Sequence, residues 1–391
     1  MRESAYWSGG TIPWISSADV KVRLIADAPY KITEHAVQNS STTLLPANSI
    51  ILVVRSGILR KFLPVARNIT EVAINQDIKA IIPDGMRAPE YIQHLLSWAG
   101  PRILATCLKS GTTVESIEFK WLKSFAVAIP PTLAEQSAIA TALSDADSLI
   151  ESLEDLIAKK RQIKQGAMQE LLTGKRRLPG FSGAWEVKSL GDLFVFSAGV
   201  GASRDQLGHN GYCYLHYGDI HTSHKLYVNV RTEFNDIPKL SIPLGQIAPS
   251  SLLADGDVVF VDASEDDEGT SKHIVVINPD HIPFISGLHT IVAKAKNSML
   301  GHRYRQYCFQ TRGVKEQFRF YAVGTKVSGI SKSNITKIVL PVPSLPEQTA
   351  IATILSDMDT ELDALTAKLA KARQIKQGMM QELLTGRIRL I

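Results

Sequence analysis

Three groups of residues have types and spacings that could do chemistry. Pro83-Asp84 followed by Glu118-Phe119-Lys120 follows a nuclease pattern, in which two carboxylates hold a divalent metal and a lysine assists hydrolysis. The separation is long and Glu118 falls in the stretch leading to a helix, so the pattern weighs little. Cys213, His216, His221 and His224 have zinc-like spacing. Tyrosines crowd them and the first half of the chain has no counterpart, so the expectation is a mixture of core and surface residues with no metal. The acidic run Asp262, Glu265, Asp266, Asp267 and Glu268 reads as a solvated loop. Neither the Asn-Pro-Pro-Tyr or Asp-Pro-Pro-Tyr loop of an adenine methylase nor a Gly-Lys-Ser/Thr phosphate loop occurs. A chain without either is expected to be no enzyme, to use no cofactor and to borrow catalysis from partners.

Basic residues offer a different chemistry. Arg55, Arg60, Lys61 and Arg67 surround a turn at Gly57, and Gly269-Thr270-Ser271-Lys272-His273 forms a polar loop before a strand. Lys109 and Lys326 adjoin turns at Gly111-Thr112 and Gly324-Thr325. Lysines and small hydroxyls suit phosphates, while arginine can read base edges in the major groove. The net charge is +5, with most of the surplus in residues 1–130, which by itself is only modest support for an anionic partner.

The elements that would position these residues follow from a repeat. Thr132-Leu133-Ala134-Glu135-Gln136-Ser137-Ala138-Ile139-Ala140-Thr141 returns as Ser344-Leu345-Pro346-Glu347-Gln348-Thr349-Ala350-Ile351-Ala352-Thr353. At the same offset, Arg161-Gln162-Ile163-Lys164-Gln165-Gly166 matches Arg373-Gln374-Ile375-Lys376-Gln377-Gly378. The segments between the copies resemble each other only faintly, so the chain reads as two similar helices, each preceded by a different globular module. Thr132 with Glu135 and Ser344 with Glu347 form capping-box patterns behind Pro131 and Pro343, and Gly174 and Gly386 suit the left-handed position that ends a helix. Each helix is then roughly 57 Å long.

Apolar positions common to the copies recur at heptad spacing: Ile139, Leu143, Ala146, Ile150, Leu153 and Ile157, and Ile351, Leu355, Met358, Leu362, Leu365 and Leu369. Lys160, Lys164 and Lys376 interrupt this seam. Acidic residues fill the first half of each helix and basic ones the second, so antiparallel pairing sets opposite charges together whereas parallel pairing sets acid beside acid. The modules carry short apolar runs, Ile50 to Val54, Ile78 to Ile82, Val258 to Val261, His273 to Ile277 and Thr290 to Ala293, separated by Gly, Pro, Asn and Asp. They predict α+β modules with mixed or antiparallel sheets and recognition loops.

Composition sets outer bounds. A chain of 391 residues with 45% hydrophobic residues has material for two cores. Three scattered cysteines argue against a disulfide framework and fit a reducing cytoplasm. No apolar run approaches a membrane span, and the start lacks the apolar core of a signal peptide. The expectation is a soluble, cytoplasmic protein without a membrane partner.

With its Leu133-Ala134-Glu135-Gln136 and Leu345-Pro346-Glu347-Gln348 openings and its Glu170-Leu171-Leu172-Thr173-Gly174 and Glu382-Leu383-Leu384-Thr385-Gly386 endings, the chain resembles the DNA specificity subunit of type I restriction-modification systems over essentially its whole length. Tyr6-Trp7-Ser8-Gly9-Gly10-Thr11-Ile12-Pro13-Trp14-Ile15 and Ala73-Ile74-Asn75-Gln76-Asp77-Ile78-Lys79-Ala80 look like its first target-recognition domain, and Gly111-Thr112-Thr113-Val114 and Gly324-Thr325-Lys326-Val327 like the turns that end each domain. The resemblance implies a non-catalytic DNA reader with pseudo-two-fold symmetry, its two recognition domains separated by an antiparallel coiled coil of two long conserved helices. Each recognition domain would read one half of a bipartite, asymmetric site in double-stranded DNA. The helices would set the spacing and dock two adenine-methyltransferase subunits, with restriction subunits outside. The domain limits are then 1–130 and 179–340 for the recognition domains and 131–178 and 341–391 for the helical regions. Alternative readings are a two-headed coiled-coil adaptor that binds protein and a metal-dependent nuclease.

The chain departs from the family at its start. Trp185-Glu186-Val187-Lys188-Ser189-Leu190-Gly191-Asp192-Leu193-Phe194 opens the second module, and a comparable opening is expected before the first. With Trp14 and Asp19 opposite Tyr214 and Asp219, about twenty residues of that opening are expected to be absent, so that the first module either lacks a strand and is weakened or tolerates the loss because the other terminus lies nearby.

Overall fold

The computed structural model describes residues 3–109, 114–264, 269–324 and 327–390. The chain divides into two compact units, residues 1–155 with 366–391 and residues 156–365. This division runs through both repeated helices, unlike the limits read from the sequence. The cause is packing: Ile139, Ala140 and Leu143 share one core with Leu383 and Leu384, while Ile351, Ala352 and Leu355 share another with Leu171 and Leu172.

The helices are Leu133–Leu171 and Leu345–Leu383, each 39 residues. Gly174 and Gly386 take φ of 70° and 74°, which closes each helix in the left-handed region that a side chain resists. The amides of Arg176 and Ile388 then donate back to the carbonyls of Glu170 and Glu382, both at 3.2 Å. Among seam positions, Ile139, Leu143, Leu153, Ile157, Ile351 and Leu355 are buried, and Ala146, Ile150, Met358, Leu362, Leu365 and Leu369 are half-buried.

In the second unit a five-stranded sheet runs in the order Phe194–Ala198, Thr290–Ala295, Val258–Val261, His273–Ile277, Tyr227–Asn229. All pairs are antiparallel except the last, which is parallel. Val258–Val261 is central and buried along its length, which explains an unbroken apolar run without alternation. A four-stranded sheet joins Leu207–Gly208, Lys239–Leu240, Tyr212–Leu215 and Phe284–Ser286, and Glu186–Ser189 pairs with Val339–Val342.

The first unit repeats this plan with fewer strands. Its larger-core sheet has the order Leu24–Ile25, Val65–Asn68, Ile50–Val53, Ile78–Ile81, again with one parallel pair at the same end. Lys31–Ile32, Ile12–Ile15, Val72–Ile74 and Thr43–Leu45 form the second sheet. Trp14 and Tyr214 lie on equivalent strands, each paired in parallel with its neighbour. Asp19 accepts from the backbone amide of Ser16 at 2.8 Å as Asp219 accepts from that of His216 at 3.1 Å. Among the described residues, the first unit has no counterpart of Glu186–Ser189 or Phe194–Ala198.

Candidate nucleic-acid interface

In the first unit, three of the predicted cations, Arg55, Arg60 and Lys109, gather around residues 115–118. Arg55 follows the strand Ile50–Val53 and forms a β-bridge with Ser116; the Lys109 amide donates to the Ser116 carbonyl at 2.9 Å. Ser56 starts the short turn Gly57–Arg60, and its amide donates to the Glu115 carbonyl at 3.0 Å. Arg60 is ion-paired with Glu115, and Lys109 lies 3.1 Å from Glu118. Those hydrogen bonds hold both glutamates below the usual carboxylate range. Arg55 and Lys61 are exposed and have no ion-pair partner among the described residues. Arg67 is occupied within the fold, its side chain 12% exposed, 3.2 Å from Glu90 and hydrogen-bonded to Asn48.

The same corner of the second unit is built by Ala263–Ser264 pairing with Ser328–Gly329. Lys272 is half-buried, and its ammonium donates to the His221 carbonyl at 3.2 Å. His273, expected in a DNA-facing loop, is a core residue instead. It is 3% exposed, its ring lies 4.9 Å from that of Phe309 and 5.5 Å from that of Phe260, and its Nε2 is 3.3 Å from the Gln306 carbonyl. The strand it begins is covered on both faces, so a polar residue at its start has no outward side to take. Lys326, the turn at Gly111-Thr112-Thr113 and the acidic residues 265–268 lie outside the described residues.

The repeated helices hold these modules through matching contacts. In the second unit Arg177 is 2.7 Å from Glu347, which also accepts from the Trp185 indole at 3.0 Å. In the first, Arg389 pairs with Glu135. Thr132 does accept from the Glu135 amide, at 3.3 Å. The glutamates, however, face these arginines rather than reaching back to close a capping box. The next residues act alike: Gln136 accepts from the Ala88 amide and donates to the Pro130 carbonyl, both at 2.9 Å, and Gln348 accepts from the Gly301 amide at 2.9 Å and donates to the Pro343 carbonyl at 2.8 Å.

The lysines that break the heptad seam are part of the same fastening. Lys164 pairs with Asp359, which accepts from the Tyr307 hydroxyl at 2.9 Å; Lys376 pairs with Asp147, which also lies 2.7 Å from Arg23. Lys160 with Glu361 and Arg373 with Glu154 add pairs at 2.6 and 2.5 Å. Within each unit the acidic start of one helix therefore meets the basic end of the other, as antiparallel pairing requires.

The enzyme-like patterns have other roles. Asp84 is paired with Arg87 and Glu118 with Lys109. Cys213 is buried, which raises its thiol pKa, and His216 accepts from the Gly218 amide at 3.1 Å. No group of three His, Cys, Asp or Glu among the described residues is arranged to hold a metal, and no described helix is long and apolar enough to cross a membrane.

Two buried histidines predict a pH dependence. Burial lowers His273 to about 4, and burial, with Arg23 nearby adding to it and Asp147 opposing it, lowers His94 to about 4. Both are neutral in the folded chain at pH 6, while the unfolded chain protonates near the ordinary value of 6.5. The unfolded state binds more protons in that window, so stability falls as pH drops from about 6.5 to 4, by about 3 kcal/mol per histidine when complete. Urea unfolding at several pH values should show this loss, and His273→Phe should flatten it for the second unit. An unchanged slope in that variant would assign the dependence elsewhere.

Two mixed-sheet modules, each fastened to halves of two long helices and the first with a cationic corner, define a class of protein built to hold two surfaces in fixed relation to their own helical supports. The sequence profile of the type I restriction modification DNA specificity domain matches residues 1–163 and again residues 183–375, so the chain belongs to that family. It is 40% identical over 160 residues to the EcoR124I/EcoR124II specificity subunit of Escherichia coli, a match covering 41% of this chain and 39% of that one. It is 22% identical over 375 residues to the MjaVIII specificity subunit of Methanocaldococcus jannaschii, covering 86% and 84%. The crystal structure of the type I restriction-modification S subunit from M. genitalium shares the fold, with a TM-score of 0.58 at 16% identity over 98% of this chain and 91% of that one.

Proposed function

We propose that the chain is the DNA sequence-recognition subunit of a cytoplasmic type I restriction-modification complex, without catalysis of its own. Each module reads one half of a bipartite, asymmetric site in double-stranded DNA, and the helices set the spacing between half-sites and dock two adenine-methyltransferase subunits, with restriction subunits joining outside. The observation that carries this reading is the family match made twice, once to each module with its helix. Recognition domains at 1–130 and 179–340 and helical regions at 131–178 and 341–391 divide the labour. Arg55 and Lys61 supply the available charge of the first module. Arg60, Lys109 and Lys272 contribute where phosphate replaces their present partners, and Lys326 contributes in the second module.

Mapping methylated adenines in cells with and without the gene tests the reading directly. Disappearance of one bipartite motif is the expected result, and an unchanged methylome would overturn it. With purified chain, DNA affinity should fall steeply as salt rises, through counterion release. Arg55→Ala with Lys61→Ala should weaken it further and shallow the salt dependence while methyltransferase association persists. If the double variant kept full DNA affinity but lost methyltransferase association, these residues would belong to a protein interface instead.

A further inference from the structure

The first unit has an open groove where the second has a filled core. In the second unit, Glu186–Ser189 pairs with Val339–Val342, a single turn Leu190–Leu193 follows, and Phe194–Ala198 closes the large sheet on Thr290–Ala295. Leu190, Leu193 and Phe194 are buried among Phe260, Ile291, Ala293, Leu340 and Val342. The first unit has the surrounding strands but nothing described between them. Ile78–Ile81 lies on Ile50–Val53 as Thr290–Ala295 lies on Val258–Val261, and its outer edge is unpaired among the described residues. Phe125, Val127 and Ile129 precede their helix as Ile338, Leu340 and Val342 precede theirs, yet the backbone from Ala126 to Ile129 has no backbone hydrogen-bond partner among the described residues. Between these two edges lies a groove of about 490 Å³, lined by Leu52, Ile81, Phe125, Val127 and Ile129 and flanked by Ile82. Ile81 and Ile82 are 43% and 57% exposed.

A second observation lies beside it. In the second unit the Trp185 ring packs 3.5 Å from where a Cβ would stand on Gly174, with its indole on Glu347. In the first unit the equivalent Gly386 has nothing within 4 Å, and a cavity of about 160 Å³ opens there between Glu135, Ile129 and Tyr91. The vacancies thus match, in order, a tryptophan, a strand, an apolar turn and a second strand. One position departs from a simple copy: Lys79 stands where Ile291 does, its ammonium 5.5 Å from the centre of the Phe119 ring. An acidic residue facing it would be matched.

We propose that this groove is a strand-complementation site whose occupant is a polypeptide segment with the chemistry of residues 185–198. Its tryptophan seats over Gly386 against Glu135, its first strand adds to Ala126–Ile129, its leucines and phenylalanine fill the groove, and its last strand extends the sheet at Ile78–Ile81. Main-chain pairing gives such additions affinity, and the side-chain pockets give them selectivity.

The probe is a synthetic peptide of this chain's own residues 183–199, titrated into the intact chain and followed by calorimetry and thermal melting. Binding of one peptide per chain, with a rise in the melting temperature, is the expected result. Ile81→Glu, at an exposed position that leaves the existing core intact, should weaken it by about tenfold or more, and a scrambled peptide should not bind. A peptide carrying Trp185→Ala should also bind more weakly, which provides a check of the tryptophan's seat independent of the sheet edge and of the fold of the chain. No saturable binding, or binding indifferent to both substitutions, would overturn the proposal. So would a dimer of the chain that Ile81→Glu dissociates, since the groove would then serve a second copy.

Discussion

Replacing Glu347 with alanine lowers the stability of the second unit by about 3–5 kcal/mol, the cost of leaving a buried charge pair with one member. Glu347 is 1% exposed and receives both the guanidinium of Arg177 and the indole of Trp185. Removing it strands two donors under a tryptophan ring, and that ring also packs on Gly174. Glu135→Ala in the first unit should cost less. Its arginine, Arg389, has a side chain 56% exposed, so water can take over the lost hydrogen bonds, and no tryptophan shares the carboxylate. Denaturant unfolding of both variants measures the difference. Equal losses would mean that the arginines, and not their burial with Trp185, govern the clamp.

Inserting four residues after Ile157 and four after Leu365, close to where the two compact units divide along each helix, changes the distance that the proposed reader measures. Each insertion adds about one turn, roughly 6 Å, and introduces a stutter into the heptad pattern. Matching insertions keep the two helices equal in length. The methylated motif should retain both half-sites and alter only its unspecified spacer, by one or two base pairs at about 3.4 Å each. Motif sequencing of cells carrying the variant reads the outcome, and an active variant with the original spacer would show that the helices do not set the distance.

The helices were legible because everything that defines them is local. Period, capping hydroxyl, terminal glycine and charge gradient lie within the segment itself, and the repeat states each of them twice. The strands Val258–Val261 and Thr290–Ala295 were legible for the same reason. The role of Glu135 and Glu347 was not. A serine or threonine three residues ahead of a glutamate reads as a local cap, while the arginines that take the carboxylates arrive from 170 and 254 positions away. A signal was present nonetheless, since Arg177 and Arg389 recur at the repeat offset just past each glycine. His273 misled because a buried interior strand shows no alternation, so its first polar residue looked like the last of a loop. The cationic corner of the first module was only half visible: spacing gathered Arg55, Arg60 and Lys61, but the bridge to Ser116 that brings Lys109 beside them depends on pairing across the module.

The glutamines that follow the two glutamates carry an implication for how such proteins diversify. Gln136 and Gln348 grip their modules by main-chain amides and carbonyls alone, at Ala88 and Pro130 and at Gly301 and Pro343. A fastening that touches only backbone is indifferent to which side chains the module displays. Selection can therefore rewrite a recognition surface without disturbing these two grips, and a substituted module need only bring side-chain partners for Asp147, Asp359 and Glu347. The socket stays fixed while the vocabulary it presents remains free to change.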